Sequence, residues 1–319
     1  MTVLELIEAA AAQLTEAGVA FGHGTNNAFD EAAWLVLWQL GLPLDTPLDG
    51  ATDEPEFIAN RPVAPAEQSQ VATLLEARIR SRKPAAYLTR EAWLMGVPFY
   101  VDERAIVPRS LIAELLVDGA LDYWLSDATH VVLDLCSGNG SLAVLAAMAY
   151  PDVTVDASDL STDALAVARI NVDKHSLTER ITLVESDGFA KLPDRYDLIV
   201  CNPPYVNAQS MAALPAEFHA EPALALDGNR AGGSDGMDFI RRLLMEAPQH
   251  MNENAVLVLE IGNERDHFEA AFPTLQAIWL ETSAGEDQVL LLEREELLAL
   301  LRGPKPESLR VPKPDGLGE

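Results

Sequence analysis

Cysteine is scarce in this sequence: Cys136 and Cys201 are the only two in 319 residues. Two thiols are too few for a disulfide framework or a zinc site, so we expect no metal centre and two reduced, buried thiols. Long apolar runs are also absent, since no stretch of about eighteen consecutive apolar residues occurs. The first five residues lack the basic start of a signal peptide. These absences predict a cytoplasmic protein without a membrane segment.

Basic residues are few as well: 22 Lys and Arg stand against 50 Asp and Glu, which gives a net charge of -28. Such a surface repels phosphate backbones, so binding to nucleic acid would need a local basic patch. The densest basic cluster, formed by Arg78, Arg80, Arg82 and Lys83, is short; it indicates the polar end of a helix or a contact to RNA. The acidic excess predicts attraction to a basic protein or, equally, a solvated surface adapted to salt.

The chain divides into parts with different patterns. An apolar content of 49% is enough to bury a large core, and the length favours two domains. Helical spacing of apolar residues predicts two helices before residue 40, separated at residues 22–27, and a third over 66–82. Residues 98–101 and 105–107 flank a polar segment and predict a β-hairpin. The predicted parts are a helical domain (1–95), a hairpin linker (96–109), a sheet domain (110–300) and a disordered tail (301–319).

Strands and helices alternate regularly from residue 131 onward. Short apolar runs rich in β-branched residues predict strands buried on both faces, and their alternation with helices is typical of a parallel sheet. The last two strands are close enough in sequence to form an antiparallel hairpin at one edge. The predicted fold class is α/β, a doubly wound and mostly parallel seven-stranded sheet with a small N-terminal helical domain. The predicted strands are 131–135, 153–157, 181–185, 196–201, 255–261, 277–280 and 288–292.

The tetrapeptide Asn202-Pro203-Pro204-Tyr205 follows one of these strands, at the end where open α/β sheets bind ligands. Consecutive prolines fix φ and remove two amide donors, which leaves a stiff corner with carbonyls free to accept hydrogen bonds. Asn202 and the Pro203 carbonyl could hold both hydrogens of a planar NH2 group, with Tyr205 against its face. The alternative interpretation is a β-turn with a polar cap.

A glycine turn follows the first strand of the sheet. Gly138 and Gly140 permit a tight turn into a helix, and the third spaced glycine of a dinucleotide fingerprint is absent, which disfavours a nicotinamide cofactor. Asp159 and Asp187 follow the next two strands, where acids can accept hydrogen bonds from a ribose diol and an adenine amino group. Each acid alone would more often be a helix cap, but in series they form one row along the sheet edge. The candidate cofactor-binding residues are Asp134, Cys136, Ser137, Gly138, Asn139, Gly140, Asp159, Leu160, Asp187, Gly188 and Asn202.

Together these features resemble the class I S-adenosylmethionine-dependent methyltransferases. Further stretches, at residues 23–28, 86–93 and 99–103, resemble the protein-(glutamine-N5) methyltransferase group. Within that group, Pro108-Arg109-Ser110 is similar to the branch that acts on the third protein of the large ribosomal subunit, whereas the release-factor branch has Pro-Arg-Pro. Cys136 departs from the superfamily, which mostly has glycine there.

The resemblance implies S-adenosylmethionine as cofactor, S-adenosylhomocysteine as product, and a helical domain that recognises the substrate. It implies methylation of a glutamine amide nitrogen in a basic ribosomal protein, free or within an assembling large subunit, with no direct nucleic-acid target. Asn202, Pro203 and Tyr205 are the predicted catalytic residues, and Pro204 joins them in substrate binding. Their carbonyls would orient the nitrogen lone pair and stabilise the positive charge that develops on it. The segment 227–233 is longer than usual for the family.

Three alternatives remain open on the sequence alone. The first is methylation of peptide chain release factors. The second is methylation of the adenine amino group in nucleic acid, which suits the same NH2-holding corner but would need a basic target-recognition region. The third is a non-catalytic assembly factor that binds a basic ribosomal protein, and it would have no need of the intact tetrapeptide at residues 202–205.

Overall fold

The computed structural model describes residues 1–48, 57–192 and 195–302. Its centre is a seven-stranded sheet in the order β5-β4-β3-β6-β7-β9-β8, in which β3 to β7 are parallel and β8 and β9 are antiparallel. The predicted fold class is confirmed. The strands of this sheet are β3 (Val131–Leu135), β4 (Thr154–Asp159), β5 (Ile181–Glu185), β6 (Tyr196–Cys201), β7 (Met251–Glu260), β8 (Ile278–Thr282) and β9 (Gly285–Glu293).

Apolar side chains on both faces of the sheet pack under helices, which explains why β3, β6 and the second half of β7 are mostly apolar. Helices α5, α6 and α7 cover one face, and α9, α10 and α11 cover the other. Strand order reverses between β3 and β6, so their carboxyl ends form the crevice where ligands bind in such sheets. The helices of this domain are α5 (Ile112–Val117), α6 (Ser141–Ala149), α7 (Thr162–Lys174), α8 (Ala208–Ala213), α9 (Asp238–Glu246), α10 (Arg265–Ala271) and α11 (Arg294–Arg302).

The N-terminal part is helical, as predicted. Its first helix begins with a capping box, in which Thr2 and Glu5 exchange hydrogen bonds between side chain and backbone. Asn27 caps the second helix through the backbone N–H of Asp30. The helices are α1 (Val3–Glu16), α2 (Ala28–Gln39), α3 (Pro65–Ser81) and α4 (Ala85–Thr89).

The basic cluster at the end of α3 is bound to the protein itself. Arg78 is fully buried, and its guanidinium contacts Glu31 at 2.8 Å and Glu217 at 3.5 Å. Arg82 also contacts Glu217, at 3.1 Å, and Lys83 pairs with Glu103 at 2.6 Å. These ion pairs connect the helical part to the linker and to the loop around Glu217. The basic cluster therefore binds other segments of the same protein.

The predicted hairpin at residues 98–101 and 105–107 is wrong in position. The paired strands are β1 (Ala92–Leu94) and β2 (Val97–Phe99), joined by a two-residue turn at Met95 and Gly96, both of which have positive φ. The segment after β2 forms no strand because its polar groups bond to side chains instead. Tyr100 N donates to Asn171 Oδ1 at 2.7 Å, and Val107 N donates to Glu221 Oε1 at 3.0 Å.

The predicted disordered tail lies outside the described residues from position 303 onward, and residues 301 and 302 end helix α11. Among the described ranges, no helix is long and apolar enough to span a membrane.

Candidate active site

A cavity of about 1400 Å³ opens at the carboxyl edge of the sheet. The glycine turn after β3, the ends of β4 and β5, and the corner after β6 all line it, as do Trp93 and Leu94 from the hairpin. The predicted site residues that line the cavity are Cys136, Ser137, Gly138, Asn139, Asp159, Leu160, Asp187, Gly188, Asn202, Pro203, Pro204 and Tyr205. The glycine turn and the tetrapeptide therefore meet in one space.

The glycine turn is fixed by contacts to the neighbouring strand. Gly138 has a φ of +55, and its backbone N–H donates to Asp159 Oδ2 at 2.9 Å. Gly140 has a φ of +78, and a Cβ there would lie 3.0 Å from the Ala168 side chain. Glycine is thus needed at both positions, for backbone conformation at the first and also for close packing at the second.

Two predicted cofactor residues do not line the cavity. Asp134 is fully buried, and its Oδ2 accepts a hydrogen bond from Ala143 N at 2.9 Å. Burial raises the pKa of Asp134 to about 7. Gly140 packs against Ala168 of α7. Both residues therefore contact the protein interior next to the turn and not the cavity.

The acids after β4 and β5 already have partners in the protein. Asp159 accepts hydrogen bonds from Gly138 N and from Ser161 N, at 2.9 and 2.8 Å, and burial raises its pKa despite these bonds. Asp187 forms an ion pair with Arg242 of α9, and the hydrogen bond from Arg242 lowers the pKa of Asp187. Arg242 was not anticipated from the sequence, and it also lies within 3.2 Å of where a Cβ on Gly188 would be.

Four buried polar atoms around the turn have no hydrogen-bond partner among the described residues: Asp134 Oδ1, which lies in the interior next to the turn, and the cavity-side atoms Ser137 Oγ, Asn139 Nδ2 and Ser158 Oγ. The last three residues line the cavity. Buried polar groups are normally hydrogen-bonded, so unpaired ones facing a cavity fit a polar ligand. An S-adenosylmethionine molecule carries an amino acid, a ribose and an adenine, and the polar groups here match such a ligand in chemistry.

The four residues of the corner after β6 all line the cavity. Asn202 is half-buried, and within the described part of the chain no hydrogen bond engages its side-chain amide or the Pro203 carbonyl. Two prolines at 203 and 204 supply no N–H to occupy neighbouring acceptors. The role of this corner in holding an NH2 group stays a prediction.

Tyr205 is held in place by contacts with Gly262 and Glu260. Its ring packs on the backbone of Gly262, where a Cβ would lie 2.6 Å from the ring, and its hydroxyl lies 3.5 Å from Glu260 Oε1. Burial and the charge of Glu260 raise the pKa of Tyr205, so the phenol stays neutral. Glu260 also accepts hydrogen bonds from Ser110 Oγ at 2.5 Å and Leu111 N at 2.9 Å. Residues 110 and 111 and Tyr205 of the corner thus all contact one buried carboxylate at the end of β7.

A second buried carboxylate, Glu221, holds the loop that follows the corner. It accepts two hydrogen bonds from Arg109, at 2.6 and 2.8 Å, and one from Val107 N at 3.0 Å. His23 Nε2, from the helical part, lies 3.4 Å from Glu221 Oε2 and stacks at an angle on Phe218. Three distant parts of the chain converge on this carboxylate.

The long segment 227–233 supports the corner from behind. Asn229 donates to Val206 O at 3.0 Å and accepts from Gly236 N at 2.7 Å. Gly236 packs so closely that a Cβ would lie 2.0 Å from Tyr205 O. The segment therefore forms an ordered support for the residues next to the tetrapeptide.

The sequence analysis missed the roles of His23, Glu221, Glu260 and Arg242. His23 lies in the segment that the sequence predicts to separate the first two helices, yet it is only 1% exposed. For Glu260 a signal did exist, because an acid ends an otherwise apolar buried strand. The others contact partners far away in sequence, and no local pattern indicates such pairs.

Comparisons with known proteins agree with this geometry. A family model described as the methyltransferase small domain matches residues 114–229. A protein of Bordetella pertussis named ribosomal protein uL3 glutamine methyltransferase is 54% identical over 299 residues, covering 93% of this chain and 96% of its own. Proteins of the same name from Burkholderia pseudomallei and Neisseria meningitidis serogroup A are 52% and 48% identical, over 94% and 93% of this chain and 96% and 94% of their own. This chain belongs to the ribosomal protein uL3 glutamine methyltransferase family, which confirms the resemblance found in the sequence.

Proposed function

We propose that this protein transfers the methyl group of S-adenosylmethionine to the side-chain amide nitrogen of a glutamine in ribosomal protein uL3. The observation that carries the proposal is the side-chain amide of Asn202, which has no hydrogen-bond partner among residues 1–48, 57–192 and 195–302 and lies beside Pro203 in the same cavity as the glycine turn. The names of the relatives support the substrate and the reaction. A newly made ribosomal protein as substrate is consistent with a cytoplasmic enzyme.

The bound cofactor supplies an electrophilic methyl group on a sulfonium. Ser137, Asn139 and Ser158 carry the unpaired polar atoms that would hold its polar groups, and Asp159 and Asp187 are the proposed acceptors for ribose and adenine. Asp187 enters this role already fixed by Arg242, which keeps its carboxylate ionised. Leu160 and Gly188 complete the lining.

Asn202 and Pro203 act on the glutamine. An amide nitrogen is a poor nucleophile because its lone pair is delocalised, so the two carbonyl oxygens must hold both N–H groups and aim the lone pair at the methyl group. As positive charge develops on nitrogen, these dipoles stabilise it more than they stabilise the neutral amide. We assign Tyr205 a face-on contact to this charge, worth about 0.5–2 kcal/mol.

No general base is assigned. The phenol of Tyr205 stays neutral because its pKa is raised, so it does not take up a proton at neutral pH. Once the nitrogen is methylated, the product proton is acidic and leaves to water. Pro204 keeps the corner rigid, and the Glu260 carboxylate keeps Tyr205 in place.

The acidic surface fits a basic protein substrate. With a net charge of -28, the molecule attracts cationic proteins over long range and repels nucleic acid. The basic cluster at residues 78–83 is engaged in internal ion pairs, which disfavours adenine in nucleic acid as the target. Free uL3 is the substrate that this surface fits best, because an assembling subunit carries RNA that the same charge repels.

The variant Asn202→Ala tests the proposal. We expect the rate of uL3 methylation to fall about a hundredfold to a thousandfold, which corresponds to a loss of about 2.7–4 kcal/mol of transition-state stabilisation. Peptide mass spectrometry measures this rate as a 14 Da gain on one glutamine. Binding of S-adenosylhomocysteine, measured by calorimetry, should largely survive. Asn252→Ala, outside the cavity, is the matched control.

Two results would count against the proposal. Equal losses of turnover and cofactor binding in Asn202→Ala would make Asn202 chiefly a cofactor ligand. Methylation of a release factor or of adenine-containing DNA in preference to uL3, with the native protein and radiolabelled cofactor, would assign a different substrate to the same corner.

A further inference from the structure

The two cysteines of this chain are neighbours at the edge of the site: Cys136 lines the cavity and Cys201 lies in the core behind it. In the parallel pair β3 and β6, Leu135 is the register partner of Cys201, and Cys136 is one residue further along. A strand spacing of about 4.8 Å and a rise of about 3.3 Å place the two Cα atoms roughly 6 Å apart. Disulfides span Cα separations of about 4.4–6.8 Å, so the backbone geometry permits a bond.

The side chains also lie on the same face of the sheet. Cys201 belongs to the apolar cluster on the α9 face, Cys136 packs against that cluster, and burial together with the neighbouring Cys136 raises the pKa of the Cys201 thiol. Cys136 has a φ of +64 and lines the cavity, whereas Cys201 is fully buried. One thiol is therefore open to a small oxidant and the other is shielded behind it. Both are reduced in this structure.

We propose that Cys136 and Cys201 are a peroxide-sensitive thiol pair that forms a disulfide across the active site. Hydrogen peroxide oxidises the cavity-facing Cys136 to a sulfenic acid and is itself reduced to water. The Cys201 sulfur then attacks the Cys136 sulfur, the S–O bond breaks, and the hydroxide leaves with the Cys201 proton as a second water. Two thiols and one peroxide thus give one disulfide and two waters.

The bond would alter both halves of the site. Cys136 begins the glycine turn, and Cys201 directly precedes Asn202, so a covalent link pulls the turn and the corner together. We expect weaker cofactor binding and loss of methyl transfer, both reversed by a thiol reductant. A bound cofactor should protect the pair, because it would cover Cys136. This effect on binding depends on the proposed function, whereas formation of the disulfide does not.

The test treats the purified full-length protein with hydrogen peroxide and then with dithiothreitol. Intact mass should fall by about 2 Da, and a non-reducing peptide map should link the segments around residues 136 and 201. Affinity for S-adenosylhomocysteine should fall at least tenfold and return after reduction. Cys201→Ala, which lies outside the cavity lining, should keep its basal activity and affinity and should gain only oxygen at Cys136.

Three outcomes would overturn the inference. The first is a mass gain at both thiols without a linked peptide in the native protein. The second is a linked peptide that leaves cofactor affinity and turnover unchanged. The third is an equal and reductant-reversible loss of affinity in Cys201→Ala, which would assign the sensitivity to Cys136 alone. Since the peptide map needs no methyltransferase activity, failure of the disulfide is distinguishable from failure of the proposed function.

Discussion

Replacement of Glu221 by glutamine tests how the loop after the corner is held. Glu221 is 5% exposed and accepts two hydrogen bonds from Arg109. Burial opposes ionisation, but the charge and hydrogen bonds of Arg109, together with nearby His23, lower the pKa of Glu221 from 4.5 to about 2. At about 1.4 kcal/mol per pKa unit, ionised Glu221 contributes about 3 kcal/mol to the free energy of unfolding at pH 7.

The pH dependence has a defined sign. Because the pKa of Glu221 is lower in the folded state, its contribution is complete above the unfolded-state pKa of 4.5 and is lost as the pH falls toward 2. About 1.4 kcal/mol of it is gone at pH 3.5. Glu221→Gln should therefore be less stable than the native protein by about 3 kcal/mol at pH 7 and by about 2 kcal/mol at pH 3.5.

Urea unfolding followed by tryptophan fluorescence measures this difference. Glu253→Gln removes an exposed carboxylate from β7 and is the matched control, expected within about 0.5 kcal/mol of the native protein. Removal of one partner from a buried ion pair costs about 3–5 kcal/mol in other proteins, in agreement with the value from the pKa. A loss below about 1 kcal/mol at pH 7, or a loss that does not shrink in acid, would refute the reasoning.

Two further substitutions test the support of the corner. Gly262→Ala places a Cβ 2.6 Å from the Tyr205 ring; at about 1–3 kcal/mol for overpacking, turnover should fall roughly tenfold or more. Gly18→Ala has a similar positive φ with nothing within 4 Å, and equal losses in both variants would exclude the ring contact as the cause. Ser110→Ala removes the 2.5 Å hydrogen bond to Glu260 and should lower the free energy of unfolding by about 1.5–3 kcal/mol in urea titrations. A change under about 0.5 kcal/mol would show that this bond contributes little.

The central strands were predictable because their signal is local. The predicted strands 131–135, 181–185 and 196–201 agree residue for residue with β3, β5 and β6. Each is a short run rich in apolar residues and bounded by polar or turn residues; β3 and β6 are buried on both faces, whereas β5 is an edge strand with Thr182 and Glu185 exposed. The strands near the antiparallel edge were shifted by a few residues, since polar residues extend β7 and β9 beyond their apolar parts.

The hairpin was misplaced for a physical reason. Residues 105–107 have the apolar, β-branched composition of a strand, yet Val107 N donates to Glu221, more than a hundred residues away. The true turn, Met95-Gly96, lacks the Asn-Gly or Asp-Gly pair that usually marks a two-residue hairpin loop. When backbone groups bond to side chains that are distant in the sequence, no short-range sequence pattern predicts the conformation of the segment.

The residues of the site divide in the same way, into those with a local sequence signal and those whose partners are distant in the sequence. The cavity-lining groups of the corner and the glycine turn were found from sequence because ligand-binding residues follow successive strand ends. The carboxylates that hold them, Glu221 and Glu260, were not found, because their partners come from remote segments. The predicted role of Asp134 illustrates the converse error: it has the expected place in the motif, but its carboxylate turns inward to Ala143 N.

Ser110 connects the family resemblance to the geometry of the corner. Its hydroxyl donates to Glu260, and the same carboxylate lies beside the hydroxyl of Tyr205. A proline at position 110, as in the release-factor branch, has no hydroxyl and could not make this bond. Glu260 would then have one donor fewer in a buried position, where burial already raises its pKa and a carboxyl group requires hydrogen-bond partners. Ser110, the residue at which the resemblance predicts a difference from the release-factor branch, therefore lies two contacts away from the tyrosine of the corner, through a single carboxylate.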